Sequence, residues 1–303
     1  MTLSLASLSS SGIVLTADSR QTYPNSVGMT RIGTDNANKL FQLSQKAAVV
    51  IAGKAFFLDN KKVLKSTGWF IEQFKKTLNP ELSIEQIADQ LNNYFINVFI
   101  GPEEIRLKEI FQNDIVNNIN GTEVVFGQRD GLKVPYSYVK GGQKVEKNFY
   151  IDLINFIVAG IDSDDIGRAY MISVPDNQKI TRDTEFGGPL WIGQTDVIGR
   201  IIKGKSWEID SLPFVQAAKA NGVDVNAELN GMEYIINWNI MTLQDSIDFC
   251  VLVTQITESI QRFSDGTVLN PGGITGVGGP VDVVTITSDE GFKWVNKKEL
   301  SVT

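Results

Sequence analysis

A threonine stands at the second position of the chain, directly after Met1. Its small side chain permits removal of Met1, which would leave the hydroxyl and the α-amine of Thr2 on one residue. An α-amine titrates at about pH 7.7 to 8.0, so it can act as a base at neutral pH and activate the hydroxyl for nucleophilic attack. Taken alone, Thr2 is more simply interpreted as an ordinary second residue.

The sequence contains no histidine and a single cysteine. These counts exclude a Ser-His-Asp or Cys-His catalytic device, a structural zinc site of the Cys/His type and an intramolecular disulfide. Cys250 lies in the apolar run 249–253, where a buried small hydrophobic residue is expected. The absence of a disulfide and of a secretory signal favours a cytoplasmic protein.

Three further residues with useful chemistry fall at the ends of expected strands. Asp18 ends the strand-like run that begins at Gly12, and Lys39 opens the strand-like run up to Leu43. Gly53 follows the apolar run 49–52. An acidic group, a cation and a flexible backbone site therefore accompany Thr2 at strand ends.

In the spacings from Thr2 to Asp18 and from Lys39 to Gly53, the sequence resembles the proteasome β-subunit family of N-terminal nucleophile (Ntn) hydrolases, in the threonine peptidase superfamily. The apolar run 156–162 is similar to the family's strand that ends in a Gly-x-Asp turn. The segment 278–287, followed by Gly291, matches the family's final hairpin. The order and spacing of these segments are more specific than any one of them.

The resemblance implies hydrolysis of a peptide or other amide through an acyl-threonine ester, with no metal and no cofactor. Thr2 would supply the attacking oxygen and the basic amine, and Lys39 would stabilise the deprotonated oxygen. Asp18 would hold Lys39, and the N–H of Gly53 would donate to the oxyanion. Without Thr2, an ordinary ion pair between strands would explain Asp18 and Lys39 equally well.

Three positions depart from the family pattern. Phe263 stands where the family has an aspartate, and Val277 and Gln194 stand where it has serines. Asp265, in the extra stretch 264–275, is expected to supply the missing carboxylate by looping back. These departures leave open a catalytically inactive, proteasome-like scaffold or binding subunit.

The same match predicts the substrate-binding residues. The pocket for the residue before the cut bond would be lined by Gln21, Ala37, Ile51, Ala55 and Asp59. Ile51 would shorten the pocket and favour a small or medium apolar residue, whereas Asp59 at its floor would attract lysine or arginine. The main-chain edges at Thr22 and Ala55 would pair with an extended substrate.

A third hypothesis is nucleotide binding, because residues 199–206 satisfy the phosphate-loop pattern G-x-x-x-x-G-K-S. The bulky Ile201 and Ile202 and a predicted helix over 196–203 disfavour a loop that wraps phosphates. The glycine-rich run 271–276 is interpreted as a flexible loop.

The elements that must position these residues follow from local patterns. Two expected hairpins, 3–17 and 39–52, precede a helix at about 58–77 and a second helix that opens at Ser83 with a capping box to Gln86. Strands are expected near 156–160, 169–173 and 193, followed by an amphipathic helix at 242–263 and final strands at 281–287 and 292–295. The buried residues expected on the 242–263 helix are Ile247, Cys250, Val251, Val253, Ile256 and Ile260.

This order suggests an α+β protein with two antiparallel sheets flanked by helices. The resemblance implies a four-layer αββα Ntn-hydrolase sandwich in one domain, 1–303, with insertions near 102–148 and 204–230. It also implies a peptide or protein substrate and a homo-oligomer. The net charge of −7 disfavours nucleic acid and anionic membranes as partners, and no apolar run is long enough to span a membrane.

Overall fold

Antiparallel sheets and helices make up this mixed α/β protein. The computed structural model describes residues 2–25, 29–176, 179–268 and 275–299. Its strands are β1 (Leu3–Ser9), β2 (Gly12–Ala17), β3 (Gln21–Pro24), β4 (Thr30–Thr34), β5 (Leu40–Gln42), β6 (Ala47–Gly53), β7 (Phe56–Leu58), β8 (Leu64–Ser66), β9 (Thr122–Phe126), β10 (Lys133–Lys140), β11 (Gln143–Tyr150), β12 (Ile154–Ile161), β13 (Gly167–Val174), β14 (Lys179–Asp183), β15 (Gly188–Gly193), β16 (Asp282–Thr287) and β17 (Gly291–Asn296). Its helices are α1 (Thr67–Thr77), α2 (Ile84–Phe95), α3 (Gly101–Asn117), α4 (Asp196–Ile202), α5 (Pro213–Ala220), α6 (Val225–Asn230) and α7 (Leu243–Phe263).

Two five-stranded sheets contain the strands that flank the candidate site. Sheet I has the order β15-β1-β2-β16-β17, and sheet II has the order β14-β13-β12-β6-β5. Antiparallel pairing sets Ser4 of β1 opposite Ala17 of β2, and Leu40 of β5 opposite Val50 of β6. The start of β1 therefore lies beside the end of β2, and the start of β5 lies beside the end of β6.

Apolar side chains of both sheets share one buried cluster, to which sheet I contributes Leu15 and sheet II contributes Val50. A second cluster joins the other face of sheet II to α1 and α2, and includes Val49, Ile71 and Ile87. A third cluster joins the other face of sheet I to α4 and α7, and includes Leu5, Ile198 and Cys250. Each sheet thus buries both faces, which explains why β1, β2 and β6 are almost continuously apolar or small.

The first helix is shorter than the sequence pattern predicted. Residues 56–58 and 64–66 pair as a β-hairpin, whose turn is held by the Asp59 side chain accepting from the N–H groups of Lys61 and Val63. Helix α1 begins only at Thr67, because Ser66 caps it by accepting from the Trp69 N–H. The capping box predicted at Ser83 is confirmed, with both of its hydrogen bonds to Gln86 present.

The two polar segments contain regular structure. The segment 102–148 holds most of helix α3 and most of a three-stranded antiparallel sheet of order β11-β10-β9, whose strand β11 ends at Tyr150. The segment 204–230 holds the short helices α5 and α6. The interpretation of both segments as insertions in a single domain remains a prediction.

Helix α7 buries a stripe that overlaps in part with the one expected, since Cys250 and Val253 are buried as predicted. Its buried residues are Ser246, Cys250, Val253, Thr254 and Thr257, whereas Ile260 is 51% exposed. The two threonine hydroxyls donate to the carbonyls of Cys250 and Val253, at 2.9 and 2.8 Å, so they can be buried without losing a partner. The burial predicted for Cys250 is confirmed, and it raises the pKa of the thiol to about 12.

The phosphate-loop pattern falls on a helix and its end. Helix α4 spans Asp196–Ile202, as predicted, and Gly204 follows its C-cap, Lys203, with a φ of +67°. Gly199 and Arg200 are therefore helical and cannot form a phosphate-wrapping loop ahead of a helix. Residues 271–274 of the glycine-rich run lie outside the described residues. Among the residues that the structure describes, no helix is long and apolar enough to cross a membrane.

Candidate active site

Thr2 and Asp18 meet at one end of sheet I, because Thr2 precedes β1 and Asp18 follows β2. The N–H of Leu3 donates to Asp18 Oδ1 at 3.0 Å, and the N–H of Asp18 donates to the carbonyl of Leu3 at 3.2 Å. The hairpin therefore fixes the position of Asp18 relative to the residue that follows Thr2.

Lys39 and Gly53 occupy the corresponding end of sheet II, where Lys39 precedes β5 and Gly53 ends β6. The N–H of Ile51 donates to the carbonyl of Lys39 at 3.0 Å. The two sheets are linked at this end, since the Ser4 hydroxyl donates to the carbonyl of Ile51 at 3.2 Å. Four residues far apart in sequence are thereby brought to one edge of both sheets.

The Lys39 ammonium and the Asp18 carboxylate form a buried ion pair. Lys39 Nζ lies 2.7 Å from Asp18 Oδ1, and the two residues are 5% and 0% exposed. Lys39 Nζ also donates to the carbonyl of Arg20. The second carboxylate oxygen, Asp18 Oδ2, accepts from the N–H groups of Arg20 at 3.2 Å and Gly278 at 3.0 Å.

Burial shifts both pKa values of this pair towards the neutral forms. It raises the pKa of the Asp18 carboxyl, against the opposing effects of the Lys39 ammonium and of the N–H donors. It lowers the pKa of the Lys39 ammonium, against the attraction of Asp18 and with a further contribution from Lys298. Lys39 is thus a cation that holds its proton less tightly than an exposed lysine does.

A cleft of about 940 Å³ opens over this end of the sheets. Thr2, Lys39 and Gly53 line it, and Thr2 is only 7% exposed. The cleft is also lined by the residues expected to contact substrate at Gln21, Thr22, Ala37, Ile51 and Ala55. Among the described residues, no group of three or more His, Cys, Asp or Glu side chains could hold a metal ion.

Three of the sequence-predicted residues do not line the cleft. Asp18 is fully buried and reaches the cleft only through its contact with Lys39. Asp59 holds the turn between β7 and β8 through its own hydrogen bonds. Asp265 is exposed beyond the end of α7. The carboxylates of Asp59 and Asp265 are therefore absent from the cleft wall.

The carbonyl of Thr2 is held from sheet I. It accepts from the N–H of Gln194 at 2.7 Å, directly after the end of β15. Gly193 has a φ of +94°, and a Cβ built on it would lie 1.9 Å from the Thr2 carbonyl oxygen. Only glycine allows the chain to pass this close to Thr2.

The structure reveals contacts around the site that no local pattern indicated. The Arg20 guanidinium pairs with Asp35 through two hydrogen bonds, at 2.7 and 3.0 Å, and lies against the carbonyl of Val277 at 3.4 Å. Gln261, on the last turns of α7, hydrogen-bonds to the loop 275–278 and to Gln194. These contacts join residues that are up to 257 positions apart, so no periodicity or short motif could have identified them.

No family model matches the chain, and a comparison with curated proteins found no match. The solved structures that it resembles include a Gly-1 mutant of Anbu from Hyphomicrobium sp. strain MC1, with 12% identity, a TM-score of 0.45 and coverage of 97% of this chain and 87% of that one. They also include Anbu (ancestral beta-subunit) from Yersinia bercovieri, with 12% identity, a TM-score of 0.43 and coverage of 97% and 88%. Similarity this low implies neither a shared reaction nor shared site residues.

These comparisons correct the family assignment made from the sequence motifs. The chain is not identified as a threonine peptidase of the proteasome β-subunit family, because no family model matches and the two solved structures named above are Anbu proteins at 12% identity. The spacings that suggested the assignment are reproduced by the two hairpins that carry the site, and hairpin spacing alone does not specify a family. Any function must be argued from the geometry of the site.

The buried ion pair generates a stability prediction. In Asp18→Asn the Lys39 ammonium would stay buried without its counter-charge, so we expect the free energy of unfolding at pH 7 to fall by about 3 to 5 kcal/mol. Urea denaturation of the variant and the unmodified protein measures this difference. The double variant with Lys39→Met should be less destabilised than Asp18→Asn, because it removes the uncompensated charge.

A matched control is the partly exposed pair Lys54–Asp152, whose charged atoms lie 2.5 Å apart. Asp152→Asn should change the free energy of unfolding by no more than about 1 kcal/mol, since solvent screens this pair. An Asp18→Asn variant as stable as Asp152→Asn would contradict the assignment of Asp18 as the counter-charge of Lys39.

Proposed function

We propose that this chain is an amide hydrolase that uses Thr2 as an N-terminal nucleophile, after Met1 has been removed. One observation carries the proposal: Thr2 and Gly53 line the cleft together with Lys39, whose ammonium is held by the buried Asp18. Nucleophile, cation and backbone donor are the parts that acyl transfer needs. The proposal rests on this geometry and not on membership of a family.

In the first half of the reaction, the α-amine of Thr2 accepts the proton of its own hydroxyl. The oxygen forms a bond to the carbonyl carbon of the substrate amide, and the carbonyl electron pair moves onto oxygen. The N–H of Gly53 donates to this oxyanion. The C–N bond then breaks, the leaving amine takes the proton from the α-ammonium, and an ester of Thr2 remains.

In the second half, the α-amine takes a proton from water while the water oxygen attacks the ester carbonyl. The second tetrahedral intermediate collapses with cleavage of the bond to the Thr2 oxygen, which recovers its proton from the α-ammonium. The products are a carboxylic acid, an amine and the free enzyme. Each step uses groups of the chain, the substrate and water.

Lys39 and Asp18 act through charge. The Lys39 ammonium in the cleft wall favours the negative charge that develops on the Thr2 oxygen, because burial in a low-dielectric site strengthens this attraction. Asp18 keeps Lys39 charged in spite of its burial and fixes its position. Asp265, which is exposed beyond α7, has no part in this scheme.

We further propose that the layers of the protein form a four-layer αββα sandwich. Its support is the three apolar clusters: one between the sheets, one between sheet II and the α1–α2 pair, and one between sheet I and the α4–α7 pair. In this arrangement the candidate site lies where the ends of both sheets meet, and substrate enters from the edge of the sandwich.

The substrate is proposed to be an extended peptide. Its main chain would pair with the backbone edges at Thr22 and Ala55, both of which line the cleft. The homo-oligomer expected from the sequence remains a prediction.

The alternative function is a non-catalytic scaffold or binding subunit. It is favoured by the exposed positions of Asp265 and Phe263 and by the apolar Val277, since no second carboxylate and no serine hydroxyl comes to the site from these residues. The two functions differ in the state of Thr2, because a catalyst needs its free amine and a scaffold does not. Intact mass separates them.

The experiment that tests the proposal is covalent labelling. A peptide epoxyketone reacts with a hydroxyl and an adjacent free amine, so the intact protein should lack Met1 and gain the mass of one probe. Thr2→Ala should abolish the adduct while unfolding as the unmodified protein does, and Lys39→Ala should slow labelling by about a hundredfold or more.

Two controls make the labelling specific. Lys46→Ala removes an exposed lysine near the start of β6 and should label at the unmodified rate. A tag joined to the amine of Thr2 should abolish labelling, since it blocks the proposed base. Retention of Met1 in the purified protein, or an adduct that persists in Thr2→Ala, would refute the threonine mechanism in favour of the scaffold.

The rate of labelling should also depend on pH in a defined direction. The α-amine acts as a base only when it is unprotonated, so the rate at saturating probe should rise as pH increases through about 7 to 8. The rate is measured by intact mass at each pH, with circular dichroism to confirm folding. A rate that stays flat between about pH 6 and 9 would show that the α-amine is not the base.

The cleft further predicts the residue preferred before the cut bond. Ile51 and Ala55 line the cleft, whereas Asp59 does not, so small or medium apolar side chains should be preferred in a panel of peptide amides that differ only there. Ile51→Ala should raise kcat/KM for larger apolar residues by about tenfold or more relative to small ones. Asp59→Asn serves as the control; a strong preference for lysine or arginine that this variant abolishes would overturn the apolar assignment.

A further inference from the structure

Gln261 lies on the last turns of α7 and contacts the loop that precedes β16. Its side-chain carbonyl oxygen, Oε1, accepts from the N–H of Gly276 and from the N–H of Val277, both at 2.9 Å. Val277 is fully buried, so its N–H needs a partner inside the protein. Two backbone donors at one oxygen also fix which end of the side-chain amide faces the loop.

The other end of the Gln261 amide contacts Gln194, whose backbone holds Thr2. Its Nε2 donates to Oε1 of Gln194 at 3.2 Å, and the backbone N–H of Gln194 donates to the carbonyl of Thr2 at 2.7 Å. Gln261 is therefore connected to the candidate nucleophile through a single intervening residue.

The same loop connects Gln261 to Asp18. The N–H of Gly278 donates to Asp18 Oδ2 at 3.0 Å, and the carbonyl of Gly278 accepts from the N–H of Ser19 at 3.0 Å. Gly278 directly follows Val277, whose N–H is held by Gln261. A displacement of the loop would withdraw one of the four donors that stabilise the Asp18 carboxylate.

We infer that Gln261 is a positioning residue that sets Thr2 and the Asp18–Lys39 pair relative to each other. The amide side chain accepts from two N–H groups through its oxygen and donates to a third group through its nitrogen, so it connects both sides at once. The residue touches none of the reacting atoms, so it acts on the rate through Gln194 and the loop 275–278. The inference rests on the proposed function of Thr2.

Kinetic labelling with the peptide epoxyketone tests this role. In Gln261→Leu the amide is lost at nearly constant volume, and we expect the rate at saturating probe to fall by about tenfold to a hundredfold, the effect of a misplacement of about 1 Å. The probe concentration at half-maximal rate should change by less than about twofold, because the cleft residues are unaltered. Gln261→Glu should recover part of the rate, since its carboxylate still accepts from both backbone N–H groups but cannot donate to Gln194 Oε1 and adds a negative charge.

Gln255 provides the matched control, because it is a glutamine on the same helix with an exposed side chain. Gln255→Ala should label as the unmodified protein does. The inference is overturned if Gln261→Leu labels at the rate of the unmodified protein, or if only the probe concentration at half-maximal rate changes in this variant. It is also overturned if Gln261→Glu labels no faster than Gln261→Leu.

Amide hydrogen exchange distinguishes failure of this inference from failure of the proposed function. In Gln261→Leu, exchange should accelerate at Gly276, Val277 and Gly278 and at the N–H of Leu3, and stay unchanged in α2. If the unmodified protein fails to label, the proposed function is wrong, and the exchange pattern still decides whether Gln261 holds the loop and Asp18. Unchanged exchange at these amides would overturn the positioning role in either case.

Discussion

The Asp18 carboxylate is the group on which the arrangement of the site depends. It is completely buried and accepts four hydrogen bonds, from the backbone of Leu3, Arg20 and Gly278 and from the ammonium of Lys39. An ionised carboxylate in such a place is stable only when donors and a counter-charge surround it. Because these donors come from segments far apart in the chain, the fold must bring both sheets and the loop before β16 together before the charge can be accommodated.

On the side of the site that faces α7, the contacts with Thr2 and the loop 275–278 are made by the uncharged amides of two glutamines. Gln194 and Gln261 connect Thr2 to the loop 275–278, and the neighbouring Arg20 is neutralised by its pairing with Asp35. An amide network of this kind can orient the backbone of Thr2 through Gln194 without adding a charge of its own.

Part of this structure follows from local sequence and part does not. The buried strands and the helix cap at Ser83 arise from residues close together in the chain, so their patterns predicted them. The start of α1 was missed because the turn at Asp59 overrides the helical pattern. On α7 the burial of Cys250 and Val253 was predicted, but that of Thr257 was missed because its hydroxyl bonds to a carbonyl of its own helix. The role inferred for Gln261 depends on contacts with Gln194 and with the loop 275–278, and the residues next to Gln261 in the sequence give no sign of these contacts. The family assignment was wrong because it relied on the spacing of residues within two hairpins. That spacing determines hairpin geometry, but it does not determine family membership.

In a chain without histidine, the buried ion pair also decides which group can take the proton of Thr2. A Lys39 that is already an ammonium cannot accept it. A neutral Lys39 could do so only while Asp18 either carries the proton or remains as a buried anion without its counter-charge, and the latter state is costly at low dielectric. In the proposed reaction, the α-amine exposed by removal of Met1 would have no such restriction, because an α-amine titrates in general at about pH 7.7 to 8.0. In the proposed reaction the Lys39–Asp18 pair would therefore act as a fixed source of positive charge, and proton transfer would be left to the α-amine of Thr2.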